Sequence, residues 1–237
     1  MGLSFEPAGM LLEVIASSVE DAVAAERGGA HRIELVRALD REGLTPPLEL
    51  VRAVLDAVRI PVRVMLREGA GFRVTGTAET EALEHTARAL ATLPIDGLVL
   101  GWIDEAAQAD LSLTARILRS MAPHKATFHR AFDATPDPLR TLDRLKRHEQ
   151  IDRVLTSGGS GSLAERIARL EQYQRQAGPH ITILIGGGID PPTYHRLRPS
   201  STLREAHVGR AARVPPTTEG TVIASRVAAF FDEQPRF

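Results

Sequence analysis

A single-domain (β/α)8 TIM barrel is the fold class predicted for this 237-residue chain. Three observations predict it. Short apolar, strand-like runs alternate with helix-like segments eight times over. The loops between them are short, and neither a linker nor a composition break divides the chain. The length is close to the roughly 250 residues usual for a closed barrel. An open, doubly wound sheet is the alternative that the same alternation permits. The expectation is one domain over residues 1–237, with its core at about 11–232.

The first strand is Leu11 to Ala16, apolar except for Glu13. Ser18 and Asp21 resemble a capping box for the helix that follows, which stops at Gly28-Gly29. The second strand, Arg32 to Val36, again carries a mid-strand acid, Glu34. After the loop Glu42–Pro47, a helix is read from Leu48, Val51, Val54, Leu55 and Val58 at helical spacing. Pro61 introduces strand three, Val62 to Arg67, which runs into a glycine-rich loop. Thr77 begins the third helix and Pro94 ends it.

Strand four is Gly97 to Trp102, with a helix from Ser112 to Met121. The fifth unit, Lys125 to Asp133, packs Lys125, His129, Arg130 and Asp133 into nine positions. Strand alternation puts Thr127 with His129 on one face and Phe128 with Arg130 on the other. Lys125 starts the strand, at the wrong end of a barrel for Schiff-base chemistry. Asp137-Pro138 opens the next helix. Strand six, Arg153 to Ser157, breaks into Gly158–Gly161, and Ser162 with Glu165 forms a capping box. Ile181 to Ile185 is strand seven, followed by Gly186–Gly188 and an Asp190-Pro191 helix start. The chain between Pro192 and Arg204 is short and polar for a covering helix. Glu205 to Arg210 is read as strand eight, and the last helix spans about Glu219 to Asp232.

A formal net charge of −1 gives no electrostatic case for nucleic acid or an anionic membrane surface. No apolar run approaches the roughly 18 residues needed to span a bilayer. The opening MGLSFEPAGM lacks the basic and apolar regions of a signal peptide. There is no cysteine, so disulfides are excluded and the soft thiolates that favour Cu(I) are missing. The expectation is a cytoplasmic protein whose partner is a small molecule.

In a closed parallel barrel the carboxyl ends of the strands converge on one mouth. The converging candidates are Glu13, Ser17, Glu34, Arg67, Trp102, His129, Asp133, Thr156, Ser157, His207 and Arg210. A glutamate inside an apolar strand is costly to bury unless paired. Arg67 and His129 are the expected partners of Glu13 and Glu34. Glycines after strands six and seven, including Gly158 and Gly187, let backbone N–H groups approach an anion. Tight βα turns need glycine in any case.

Several stretches together resemble the CutC family. They are Leu12-Glu13 with Ser17, Gly29–Leu35, Gly43–Pro46, Thr127–Asp133, Arg153–Gly158 and the glycine run near 186. The resemblance covers nearly the whole chain, thins after Gly188, and is most specific around His129. It implies a cytoplasmic TIM barrel that is a homo-oligomer, dimer or higher, and a role in copper homeostasis or copper ion binding. The chain lacks the cysteines that family members often carry after the first two strand acids.

Two readings of function follow. One is a barrel that binds a small polar or anionic metabolite, as a lyase, isomerase or hydrolase. His129 with Glu13 or Glu34 would move protons, and Arg67, Ser17, Asp133, Thr156, Ser157, Gly158, Gly187 and His207 would hold the ligand. No metal ligand is needed for it. The other binds a divalent ion through Glu13, Glu34, His129 and His207, as a metal-binding protein or a metal-dependent hydrolase. A non-catalytic oligomeric barrel is the third, plainest alternative.

Overall fold

The structure is a computed structural model and describes residues 9–74, 76–198, 200 and 202–232. The start of the chain, read above as lacking a signal peptide, lies largely outside them. Eight parallel strands close into a barrel in sequence order. They are β1 (Leu11–Ala16), β2 (Arg32–Leu35), β3 (Val62–Met65), β4 (Gly97–Leu100), β5 (Lys125–Phe128), β6 (Ile151–Thr156), β7 (Thr182–Ile185) and β8 (Glu205–Val208). Closure is direct: β8 pairs with β1, setting His207 beside Glu13. The open-sheet alternative is thereby set aside.

The covering helices are α1 (Val19–Arg27), α2 (Leu48–Ala57), α3 (Gly76–Leu90), α4 (Leu111–Ser120), α5 (Pro138–Leu145), α6 (Leu163–Ala177), α7 (Pro191–Leu197) and α8 (Ala224–Ala228). Their starts follow local chemistry. The side chains of Ser18, Asp110, Asp137, Ser162 and Asp190 each accept a backbone N–H of the first turn. At α6 the capping box of Ser162 and Glu165 is complete. At α1 only half of the expected box forms: Ser18 accepts from Asp21 N–H. The Asp21 carboxylate instead binds Arg213 at 2.9 Å and the N–H of Val222.

Several boundaries depart from expectation: β3 ends at Met65 and β4 at Leu100, each two residues early, and β6 starts at Ile151, two residues before Arg153. Strand five ends at Phe128, because His129 caps a short 3-10 turn over Arg130–Ala134 by accepting from Ala131 N–H. Strand eight ends at Val208, and a 3-10 turn covers Arg210–Ala212. The last helix shrinks to Ala224–Ala228, because Thr221–Val222 pairs antiparallel with Arg213–Val214. The short chain after Pro192 does supply a covering helix. Among the described residues no helix is long and apolar enough to cross a membrane.

Outward-facing strand residues, among them Leu12, Val14, Ile33, Leu35, Val64, Leu98, Phe128, Val154 and Ile183, join the helices in one large core. Inside, a small apolar group of Val36, Met65 and Val99 packs with Ile15 and Leu39. Much of the rest of the interior is charged, with Thr127, Leu155 and Leu184 among the charges.

Candidate functional site

The charges run as one continuous chain across the barrel. Asp96 pairs with Arg63 at 2.7 Å and Arg63 with Asp152 at 2.7 Å. Asp152 meets Arg153, whose Nε reaches Glu205 at 2.7 Å. Glu205 accepts from Arg32 at 2.7 Å, and Arg32 binds Glu13. Glu13 Oε1 lies 2.7 Å from His207 Nδ1, which stands 3.6 Å from Glu34 Oε2. Several of these links join strands that are not neighbours, such as β3 to β6 and β6 to β8, so they cross the interior. Asp96 and Asp152 stay partly exposed, while Glu13, Arg32 and Arg63 are buried. Unpaired charges at such depth would be untenable, and the alternation of sign satisfies them.

Above this floor opens a cavity of about 600 Å³, within the range of small-molecule sites. Glu34, His207, Met65, Arg67, Phe72 and His129 line it together with Asp133, Gly187, Gly188 and Arg210. Two lining groups are buried with a polar atom that makes no hydrogen bond among the described residues: Glu34 Oε2, with only His207 at 3.6 Å, and His129 Nε2. Because His129 Nδ1 accepts from Ala131 N–H, the neutral ring carries its proton on Nε2. Burial and the Arg67 charge push His129 down to about 3, so the ring is neutral at physiological pH. Room for it comes from Gly101, where a Cβ would lie 2.8 Å from Nδ1.

Glu34, Glu13 and His207 titrate together. Burial raises Glu34, and with the opposing pull of His207 and the push of Glu13 its carboxyl settles at about 7. Burial lowers His207, but the Glu34 charge and the Glu13 bond outweigh it and hold the imidazole above its ordinary value. For Glu13 burial raises the carboxyl, yet Arg32 and His207 overcome it and hold the group well below the carboxylate range. The result is one fixed anion, Glu13, bonded to His207, with the Glu34 carboxyl 3.6 Å from the same imidazole and poised near neutrality.

The expected partners of the two strand acids are therefore corrected. Glu13 binds Arg32 and His207 instead of Arg67 or His129, because the register sets Glu13 beside both Arg32 and His207. Arg67 lines the cavity but spends its donors on the loop beside it, Nε to Gly43 O at 3.1 Å and Nη2 to Arg41 O at 2.6 Å. Its guanidinium also lies 5.7 Å from the Phe72 ring centre.

Other candidates do not reach the cavity. Ser17 donates to Asp21 at 3.0 Å. Thr156 follows the inward Leu155 and so points the other way, where it and Ser157 hold Asp133; the Ser157 hydroxyl donates at 2.8 Å. Asp133 also receives Arg130, which borders the cavity. Gly158 is packed under Arg166 and Leu170. Trp102 is buried in the outer core, and Lys125 is exposed, donating to Glu149 O. Sequence reasoning missed Arg32, Arg63 and Arg153 as network members. Their signal was present: each is a lone arginine in a strand register that also carries an acid.

The protein-family model described as CutC family matches residues 10–212. A family protein CutC of Xanthomonas campestris is 37% identical over 198 residues, covering 84% of this chain and 82% of the relative. A human copper homeostasis protein cutC homolog is 37% identical over 199 residues, covering 84% and 72%. The crystal structure of the CutC protein from Streptococcus agalactiae superposes with a TM-score of 0.77 at 25% identity, over 84% of this chain and 98% of that one. On a family match that spans most of its length and relatives this similar, the chain belongs to the CutC family.

Proposed function

We propose that the barrel binds a small polar, anionic metabolite in the mouth cavity and moves a proton on it. The observation that carries this reading is the pair of buried polar atoms lining one cavity that make no hydrogen bond, Glu34 Oε2 and the His129 Nε2–H. Buried polar atoms without partners are rare and costly unless a ligand meets them. One is an acceptor or a proton carrier and the other a donor. A carboxyl that titrates near 7 beside an imidazole is matched to general acid–base work at neutral pH. In this reading Glu34 exchanges the proton with the ligand, the His207 imidazole 3.6 Å away tunes its charge, and Glu13 orients His207. The neutral His129 donates a hydrogen bond to a ligand oxygen, and Arg67 supplies a fixed positive field. The reaction class is proton transfer, as in an isomerase or lyase.

The test is a melting scan of the purified protein against carboxylates, polyols and sugar phosphates. A stabilising ligand is expected, lost in both Glu34→Gln and His129→Ala while circular dichroism stays unchanged. Stabilisation that survives both substitutions rejects the reading.

A second reading rests on one observation: ligand atoms of Glu13, Glu34 and His207 lie within 4.8 Å of one another. Nitrogen and carboxylate donors suit a divalent ion. Cu(I) does not fit this donor set, since sulfur at the cavity comes from Met65 alone. The reading ranks second because Glu13 already spends both oxygens, on Arg32 and His207. Zinc or manganese that stabilises the protein, with the effect lost in Glu34→Gln and His207→Ala, would put it first. A cytoplasmic homo-oligomer with no nucleic-acid or membrane partner completes the proposal. It is supported by the near-zero net charge and the family resemblance; light scattering tests the assembly.

A further inference from the structure

We propose that the cavity wall built after β7 and β8 is a phosphate subsite, so that the ligand is a small phosphomonoester. This rests on the cavity reading above and names its substrate class. Three arginines line the cavity. Arg67 is taken by the carbonyls of Arg41 and Gly43, and Arg130 by Asp133. Arg210 is exposed and, among the described residues, its guanidinium has neither an ion pair nor a hydrogen bond.

Lining the same cavity is the turn Gly187-Gly188-Ile189. Arg166 stands behind this turn and donates to Gly186 O at 3.2 Å and Gly187 O at 2.9 Å. In a trans peptide the N–H points opposite to the carbonyl of the same unit. The N–H groups of Gly187 and Gly188 are therefore turned away from Arg166, toward the open side. They and the N–H of Ile189 meet no acceptor among the described residues. Both glycines hold φ near +80°, at 82° and 78°, which side-chain-bearing residues rarely adopt. Gly188 has nothing within 4 Å of where a Cβ would stand.

Across the wall, the 3-10 turn at Arg210–Ala212 leaves the N–H groups of Arg210 and Ala211 unbonded as well. Asp190 borders the same wall, but its carboxylate is held as the cap of α7 by Thr193 N–H at 2.9 Å. A free guanidinium with several converging backbone donors suits a tetrahedral dianion better than a flat carboxylate. A phosphoryl group seated there leaves the rest of the ligand directed at Glu34 and His129.

The experiment titrates full-length 15N-labelled protein with inorganic phosphate, and with acetate in parallel, and measures affinity by calorimetry. Phosphate should shift the amide signals of Gly187, Gly188, Ile189 and Arg210. Arg210→Gln should weaken it by roughly tenfold or more, a loss typical of a charge-assisted contact. Glu34→Gln should not weaken phosphate binding, because it removes an anion from the same cavity. No amide shifts at tens of millimolar phosphate, equal binding of acetate, or an Arg210→Gln variant that binds as well as the parent would each overturn the subsite. A neutral polyol that stabilises the parent but not Glu34→Gln, with phosphate silent, would sink the subsite and spare the cavity reading. Phosphate binding that needs Arg210, with no ligand responding to Glu34 or His129, would keep the subsite and sink the proton-transfer reading.

Discussion

Replacing Glu34 with glutamine should make the protein more stable at alkaline pH. The carboxyl titrates at about 7 in the folded chain, against an ordinary value of 4.5. Between those values the folded state holds a proton that the unfolded state has released, so stability falls as pH rises through the window. At roughly 1.4 kcal/mol per pH unit the loss from this one group is about 3 kcal/mol, complete above pH 7. His207 acts in the same direction. Its folded value lies above 6.5, so its contribution is present below 6.5 and disappears as pH climbs through the folded value.

Glutamine keeps the shape of the protonated acid and cannot ionise. At pH 8 Glu34→Gln should therefore exceed the parent by about 2–3 kcal/mol, or about 4–12 °C in Tm for a chain of this size. At pH 5, where the parent is protonated, the two should agree within about 1 kcal/mol. Urea unfolding or calorimetry at both pH values is the assay. A variant less stable than the parent at pH 8 would refute the reasoning, because it would mean that Glu34 is ionised and held in the folded state, as Glu13 is.

Arg32→Met should cost about 3–5 kcal/mol in urea unfolding, because it takes a buried cation from both Glu13 and Glu205, leaving Glu13 only His207 and Glu205 only Arg153; adding Glu13→Gln should restore part of it, and a loss below about 1 kcal/mol would contradict the network. The depressed carboxyl of Glu13 contributes stability that is present above its ordinary 4.5 and lost as pH falls toward its folded value. Acid unfolding should thus steepen below pH 4.5 in the parent and flatten in Glu13→Gln. Gly101→Ala puts a methyl 2.8 Å from His129 Nδ1 and should shift the ring signals of His129 in a histidine NMR spectrum, with ligand-induced stabilisation reduced; an unmoved ring would show that the site does not depend on that gap.

The barrel was legible because its outward residues, such as Leu12, Val14, Ile33 and Val154, supply periodic apolar signals in every strand. The exceptions came where a side chain overrode the pattern. His129 caps a turn and ends its strand early, and Thr221–Val222 leaves a helical run to pair with Arg213–Val214. Of the candidate site, Glu34, His129, His207, Arg67, Asp133 and Gly187 line one cavity, since alternation and strand ends suffice to place them. Who pairs with whom was not legible. Glu13 meets Arg32 through the β1–β2 register and Glu205 meets Arg153 across the interior, and neither relation is visible to a reader of one segment at a time. Thr156 was misplaced by one residue of alternation, which turns a side chain to the opposite face.

The row of salt links beneath the cavity has a kinetic consequence. It closes the lower end of the barrel as a plug, so nothing drains through the axis. Whatever enters at the top must back out by the same doorway, beside the loop that Arg67 latches through the carbonyls of Arg41 and Gly43. Ligand exchange would then be gated by how fast that doorway clears, and a bound molecule lingering there would exclude its successor.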